Sequence, residues 1–232
     1  MKTVLNWSSG KDAAMAFHML QQDSQYEVAA LLTTINTDNE RIVMHGVREE
    51  LLEMQADRIN LPLMKVHLPP SPDHDVYNAA MEQALYELQT LGITHSAFGD
   101  IHLEDLRQYR EEQLKQAGFG AVFPLWGKDT RELVQLVETS GIEAIIVCVS
   151  EKHMGKEFLG RKVDTKLLSD LPEGVDPCGE NGEFHTFVYN APFFSAPIGW
   201  ASGEVVRKVY TPEDSSTAWD KGFYFMDILP GD

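Results

Sequence analysis

Apolar and polar positions in the first half of the chain alternate between two textures. Short apolar runs at Thr3 to Trp7, Val28 to Ile35, Lys65 to Leu68, Ser96 to Phe98 and Ala121 to Phe123 have the length and content of strands covered on both faces. Between them, Asp12 to Gln22, Val47 to Asn60, Asp75 to Leu91 and Leu103 to Ala117 have helical composition, with Gly92 and Gly118 placed to end the last two. Strands that alternate with helices in this way predict an α/β protein, a doubly wound parallel sheet joined by right-handed crossovers.

The pattern then changes. Thr130 to Ser140 reads as a helix ended by Gly141, and Ala144 to Val149 as a strand that either extends the first sheet or opens a second unit. After Ser150, Gly and Pro become frequent, and β-type runs at Phe184 to Tyr189, Gly203 to Tyr210 and Phe223 to Ile228 follow without long helices between them. This predicts a smaller C-terminal α+β domain, with the boundary near Trp126 to Lys128, hence domains of residues 1–127 and 128–232.

The chemistry begins where the first strand hands over to the first helix, at Ser8-Ser9-Gly10-Lys11-Asp12-Ala13. The carboxyl end of a strand and the N-terminus of a helix together offer unpaired N–H groups to an anion. Gly10, able to take positive φ and with no Cβ in the way, lets backbone donors close around phosphate, while Lys11 supplies a cation. No glycine precedes Gly10 by five residues and Asp12 follows Lys11, so this is not a Walker A loop. A carboxylate at that place makes sense beside a polyphosphate if Mg²⁺ lies between them. An ordinary strand-to-helix turn with a Ser or Asp cap is the competing reading. Thr33 and Thr34, at the end of the second strand, could border an adenine, or could reflect β propensity alone. Gly99 and Asp100 follow the fourth strand, where close ligand approach competes with a helix cap.

Near the C-terminus, a strand from Gly182 onward places Glu183 and His185 on one face and Phe184 and Thr186 on the other, by period two. The carboxylate and imidazole could orient each other, accept a proton from an attacking amine, or hold an ammonium ion. Glu180 adds a second acid. His45 and Arg48, three apart, could share a face toward a bound ligand, and Lys156 and Arg161 could neutralise charge on a bound phosphate or could be flexible solvated charge.

Charge narrows the partners. Acidic residues outnumber basic ones 36 to 19 in 232 residues, a formal charge of −17 spread along the chain. Such a surface repels nucleic acid and anionic membrane, and also ATP, so a local positive site and a divalent cation are expected at the loop. Cys148 and Cys178 form no C-x-x-C; the first reads as core, and the second, just before Gly179, reads as loop filler with a place beside the site as the alternative. No apolar stretch approaches a membrane span, so the chain is expected to be soluble and cytoplasmic.

Ser8 to Ala13 resembles the SGGKDS pyrophosphate loop of the N-type ATP pyrophosphatases. In order, Phe98-Gly99-Asp100-Ile101, Pro124-Leu125-Trp126-Gly127, Phe158-Leu159-Gly160-Arg161 and Gly179-Glu180-Asn181-Gly182-Glu183-Phe184-His185-Thr186 resemble segments of the diphthine-ammonia ligase family. The resemblance spans nearly the whole chain. It implies the adenine nucleotide alpha hydrolase-like sheet with strand order 3-2-1-4-5, and ATP bound by Ser8, Ser9, Gly10, Lys11, Asp12, Ala13, Thr33, Thr34, Gly99 and Asp100. It further implies Lys11 and Asp12 as catalytic residues, Mg²⁺ on Asp12, and an acceptor held by Arg161, Glu180, Asn181, Gly182, Glu183, His185 and Thr186.

The implied reaction adenylates a carboxylate, releases pyrophosphate, and forms an amide when ammonia displaces AMP. Two departures stand out. Ser9 replaces a second glycine and Ala13 a serine or threonine; the missing hydroxyl at Ala13 predicts weaker ATP binding by one lost hydrogen bond, roughly 1.5 to 3 kcal/mol, unless the Ser9 hydroxyl takes its place. Asn181 and His185 stand where diphthamide-forming members tend to carry Gly and Glu, which leaves the acceptor open between diphthine and another acid of a cofactor pathway. A tRNA base, a nucleotide-binding sensor without turnover, and assembly into a homo-oligomer also stay open.

Overall fold

A computed structural model describes residues 1–42, 45–70, 72–210 and 221–231. In chain order the elements are β1 (Lys2–Asn6), α1 (Lys11–Gln22), β2 (Glu27–Asn36), β3 (Arg41–Ile42), α2 (Glu49–Ile59), β4 (Leu63–Leu68), α3 (His74–Thr90), β5 (His95–Ala97), α4 (Glu104–Gln116) and β6 (Gly120–Val122). They continue with α5 (Thr130–Thr139), β7 (Glu143–Ser150), a 3-10 turn at Lys156–Phe158, α6 (Thr165–Asp170), β8 (Phe184–Asn190), β9 (Trp200–Tyr210) and β10 (Lys221–Pro230).

The five parallel strands run β4-β2-β1-β5-β6, with Thr3 beside Val28 on one side and beside His95 on the other. Counted among themselves, they have the expected order 3-2-1-4-5. The two-residue β3, absent from the sequence reading, pairs antiparallel with the end of β2 at Ile35 and Ile42. Period two sorts the core: Val4, Ala30, Leu32 and Phe98 pack with Leu85, Leu88 and Leu114 of α3 and α4, whereas Leu5, Leu31, Ile35 and Ala97 face α1 and α2. Helices therefore cover both faces, and the sheet is doubly wound.

The choice left open for β7 is settled. It lies in a separate antiparallel sheet of order β8-β7-β10-β9. This second sheet shares one apolar cluster with α1 and α2, because Ile145, Ile146, Phe187 and Val188 pack with Met15, Phe17 and Leu52. The segment after Thr186 runs along both helices. Gln55 of α2 donates to the Val188 carbonyl at 2.6 Å, Phe193 meets the Phe17 ring edge at 4.7 Å, and the Ser195 N–H reaches the Arg58 carbonyl at 2.9 Å.

A second lock joins the halves at the other end of α2. Asp227 of β10 takes two bonds from Arg48, at 2.6 and 3.1 Å, and one from Arg41 at 2.7 Å. Arg48 is thus engaged in an ion pair between the halves. Burial works against the Asp227 charge, but the two guanidiniums prevail and hold its pKa at about 2, below the ordinary 3.8. Because the folded pKa is depressed, the stability it contributes is present above pH 4 and is lost as pH falls through about 2. Asp227 is 17% exposed and Arg48 more so, so solvent screening trims the contribution to about 1 to 2 kcal/mol. Asp227→Asn should therefore destabilise the fold by about that amount at pH 7, with the gap to the parent closing between pH 4 and pH 2 in urea unfolding. A gap that stays constant over that interval would remove the ion pair from the account.

Candidate functional site

The loop between β1 and α1 sits at the centre of the molecule with β8 laid across it. The Thr186 hydroxyl accepts the Lys11 N–H at 3.0 Å, and the Val188 N–H donates to the Ser9 carbonyl at 2.9 Å. Gln55 donates to the same carbonyl at 3.2 Å and accepts from the Trp7 indole at 2.8 Å. The loop backbone is thereby fixed from three directions, by side chains far apart in sequence.

Backbone geometry puts the positive φ one residue earlier. Gly10 is extended, at φ −91, and the left-handed residue is Ser9, at φ +71. Gly10 is needed for space instead: a Cβ there would stand 3.0 Å from His45 Cε1 and 3.2 Å from the Thr186 hydroxyl. Ser9 thus holds a conformation that costs an L-residue roughly 1 to 2 kcal/mol, and its hydroxyl is buried without a hydrogen-bond partner. Ala13 is 3% exposed and packs into the apolar core.

Lys11 is 1% exposed. Its ammonium donates to Asp12 at 2.9 Å and to the Cys178 carbonyl, over the Phe184 ring at 5.3 Å. Burial disfavours the charge, yet Asp12 and the surrounding acids raise its pKa overall, so it stays cationic. Cys178, read from sequence as loop, therefore supplies the backbone acceptor that receives the loop lysine. Its thiol, pushed up by burial, bonds to the Thr130 carbonyl at 3.4 Å and is inert.

Three carboxylates lie near one another beside the loop. Asp12 is 32% exposed on its side chain, and burial lifts its pKa against the pull of Lys11. Burial likewise raises Asp100, which Arg110 holds at 3.1 Å and Asp12 opposes. Glu180 accepts from the Ile101 and His102 N–H groups at 2.7 and 3.3 Å, and burial with the charges of Asp12 and Asp100 raises it too. Gly99 makes this convergence possible. A Cβ there would stand 2.8 Å from the Asp12 carbonyl carbon and 3.0 Å from the Ala13 nitrogen, so the loop after β5 lies directly on the start of α1.

Other predicted residues fall differently. Glu183 does not stand beside His185 on a strand face. It precedes β8, is 1% exposed, and accepts from Asn181 N at 2.9 Å, Asn181 Nδ2 at 3.1 Å and Asp176 N at 3.1 Å. Both oxygens close their own turn around Asn181 and Gly182. His185 stacks instead on His45, with ring centroids 4.6 Å apart. Arg161 pairs with Asp170 at 2.6 Å and Lys156 is exposed, so neither is brought to Lys11. Thr33 and Thr34 lie just past the level at which β1 ends beside Leu32, Thr33 buried and Thr34 half-buried. Sequence reasoning missed Gln55, whose only signal is an amide on the apolar face of α2.

A pyrophosphate-type loop at the switch point of a doubly wound sheet defines the class, an α/β protein of the PP-loop ATP pyrophosphatase kind. The family model described as Diphthamide synthase N-terminal domain matches residues 1–120, and that described as Diphthamide synthase C-terminal domain matches residues 129–226. The chain belongs to this family, that of the diphthine–ammonia ligases, and is accordingly an enzyme, an ATP-dependent carbon–nitrogen ligase. It is 26% identical over 228 residues to diphthine–ammonia ligase of Bos taurus, covering 86% of this chain and 82% of the other. The Danio rerio protein of that name is 26% identical, covering 85% and 86%. The Schizosaccharomyces pombe protein is 25% identical over 89% of this chain but only 37% of its own length. Among solved structures, the U34-tRNA thiolase NcsA from Methanococcus maripaludis with its [4Fe-4S] cluster overlaps 60% of this chain and 56% of its own, at 15% identity and a TM-score of 0.37.

Two substitutions test the loop. Ser9→Gly relieves the left-handed strain and removes the orphan hydroxyl, and should raise stability by about 1 kcal/mol in urea unfolding while weakening ATP binding up to roughly tenfold. A destabilised variant would mean that the hydroxyl has a partner within the fold. Gly99→Ala should cost roughly 1 to 3 kcal/mol, since the obstacle is backbone and not a flexible side chain.

Proposed function

We propose that the chain activates a substrate carboxylate by adenylation and transfers it to ammonia. A carboxylate oxygen attacks the α-phosphate of ATP, forming an O–P bond as the bond to pyrophosphate breaks. Ammonia then attacks the acyl carbon, a C–N bond forms, the C–O bond to AMP breaks, and the nitrogen loses a proton. In this reading residues 1–127 hold ATP and residues 128–232 hold the acceptor. The β and γ phosphates lie on the backbone of Ser8 to Asp12, and the adenine lies across the strand ends near Thr33 and Thr34.

The observation that carries the reading is where buried polar atoms lack partners. Among the described residues, Ser9 Oγ, Ser150 Oγ and His185 Nε2 are buried with neither a hydrogen bond nor an ion pair, whereas Asp100 Oδ2 and Arg110 Nε have each other at 3.1 Å. Ser9 belongs to the loop itself, and His185 to the pair of rings against Gly10. Buried polar groups are costly to leave unpaired, so Ser9 and His185 at one loop support a polar ligand there. Lys11 fits a phosphate in the same way. An ammonium has three donors, Asp12 and Cys178 take two, and one remains.

A magnesium ion fits the donor set. Among the described residues no three His, Cys, Asp or Glu side chains gather closely enough to hold a metal by themselves. Mg²⁺ characteristically uses one or two carboxylates and completes its shell with phosphate oxygens and water. Asp12, with Asp100 beside it, would hold the ion, and the raised pKa values of both are relieved by a cation. When bound, the ion would neutralise charge on the departing pyrophosphate. The chain's own part is to orient the phosphates and to supply the Lys11 charge without reorganisation.

The relatives' names make diphthine the first acceptor to assay, with the turn of Glu180 to Gly182 as this chain's own surface toward it. Incubation with ATP, Mg²⁺, ammonium and diphthine should yield AMP and pyrophosphate in equal amounts. ADP and phosphate as products would overturn adenylation. Asp12→Asn should lower turnover by roughly 10²-fold or more with the fold retained, as judged by circular dichroism. Unchanged turnover with unchanged Mg²⁺ dependence would reduce Asp12 to a helix-terminal residue.

A further inference from the structure

His45 and His185 reach one another from opposite halves of the chain, His45 from the turn after β3 and His185 from the start of β8. Their rings lie 4.6 Å apart at 35°. The His45 ring rests against the phosphate loop, in the space that a side chain at position 10 would fill. Its Nδ1 lies 3.4 Å from the carbonyl of Thr186, the residue whose hydroxyl holds the Lys11 N–H. His185 Nε2 is buried and has no partner. A pair of imidazoles packed only for volume would be better served by apolar rings, because a buried nitrogen without a hydrogen-bond partner is destabilising.

We propose that this pair is the nitrogen-donor subsite of the ligase, at which His185 Nε2 and the His45 ring seat uncharged ammonia beside the phosphate loop. The proposal rests on the amide-forming reaction above and adds to it the place and the charge state of the nucleophile. Ammonia must keep its lone pair free for attack, so a productive site holds it through its N–H bonds and needs acceptors. Both rings offer them. Burial, with the Lys11 charge, lowers the His45 pKa to about 4, and burial, His45 and Lys11 lower that of His185 well below the ordinary value. With Lys11 as the charge acting on both rings, an ammonium ion is repelled while ammonia is not. The expected pairing of His185 with Glu183 is thus replaced by one with His45. The site becomes a neutral one and not an ammonium-binding one.

The test uses the intact protein with ¹⁵N-labelled histidine rings, titrated with ammonium chloride or with potassium chloride at equal ionic strength. The expected result is a saturable shift of the His45 and His185 ring resonances with ammonium chloride alone. Its midpoint in total ammonium should tighten about tenfold for each pH unit below the ammonium pKa, as the fraction present as ammonia rises. His185→Phe should weaken the His45 response at least tenfold. Equal shifts with potassium chloride, no shift at pH 9, or a midpoint independent of pH would each overturn the proposal. Product analysis on the same preparation separates this outcome from the wider mechanism. ADP and phosphate as products would refute adenylation without moving the ring shifts, whereas AMP and pyrophosphate with silent rings would place ammonia elsewhere.

Discussion

The loop between β1 and α1 is held by a strand that belongs to the other sheet, and most of the candidate site follows from that contact. A loop at the end of β1 could be fixed locally by caps on α1, yet Gly10 provides no side-chain cap. Thr186 provides it from β8. Lys11 is buried by the same docking, and a buried ammonium survives only with charge and hydrogen-bond partners. Asp12 and the Cys178 carbonyl are those partners, one from each half. The halves therefore complete the loop together, and neither presents it alone.

Charge explains why the site lies at this junction. The chain carries −17 overall, and Asp12, Asp100 and Glu180 converge where an anionic nucleotide must bind in the proposed reaction. Burial raises all three, Asp12 raises Asp100 further and both raise Glu180, while Lys11 and Arg110 compensate only part of the excess. A surface of this kind excludes polyanions that arrive without a divalent counter-ion. Within the proposal, metal and nucleotide are thus a single ligand, and the acidic shell selects for the complex.

Strain and unpaired polarity sit together at the loop. Ser9 holds a left-handed backbone suited to glycine, with a hydroxyl that no protein group answers. By contrast, both oxygens of Glu183 and one oxygen of Glu180 accept hydrogen bonds from the protein, so the acidic segment near the C-terminus shapes the turn beneath Lys11. Groups spent on structure and groups left over for ligand can be told apart here by counting hydrogen bonds.

The sequence by itself determined the first sheet. Apolar runs and helical segments placed all five parallel strands and their helices within a few residues, because period and local chain chemistry are properties of neighbours along the chain. It also located the loop, since a strand end followed by small residues and a helix is a local signal. Only the tertiary structure decided what fills that loop's surroundings. The motif resemblance grouped Lys11, Thr186 and Glu180 as site residues, but their contacts, and the pairing of His45 with His185, join residues far apart in sequence, where no periodicity reaches. Period two failed at Glu183 for a related reason: the rule holds within a strand, and Gly182 at φ +80 turns the chain just before β8 begins. Whether β7 extended the first sheet or opened another was equally beyond local pattern, because a strand's apolar face does not specify which of two sheets will cover it.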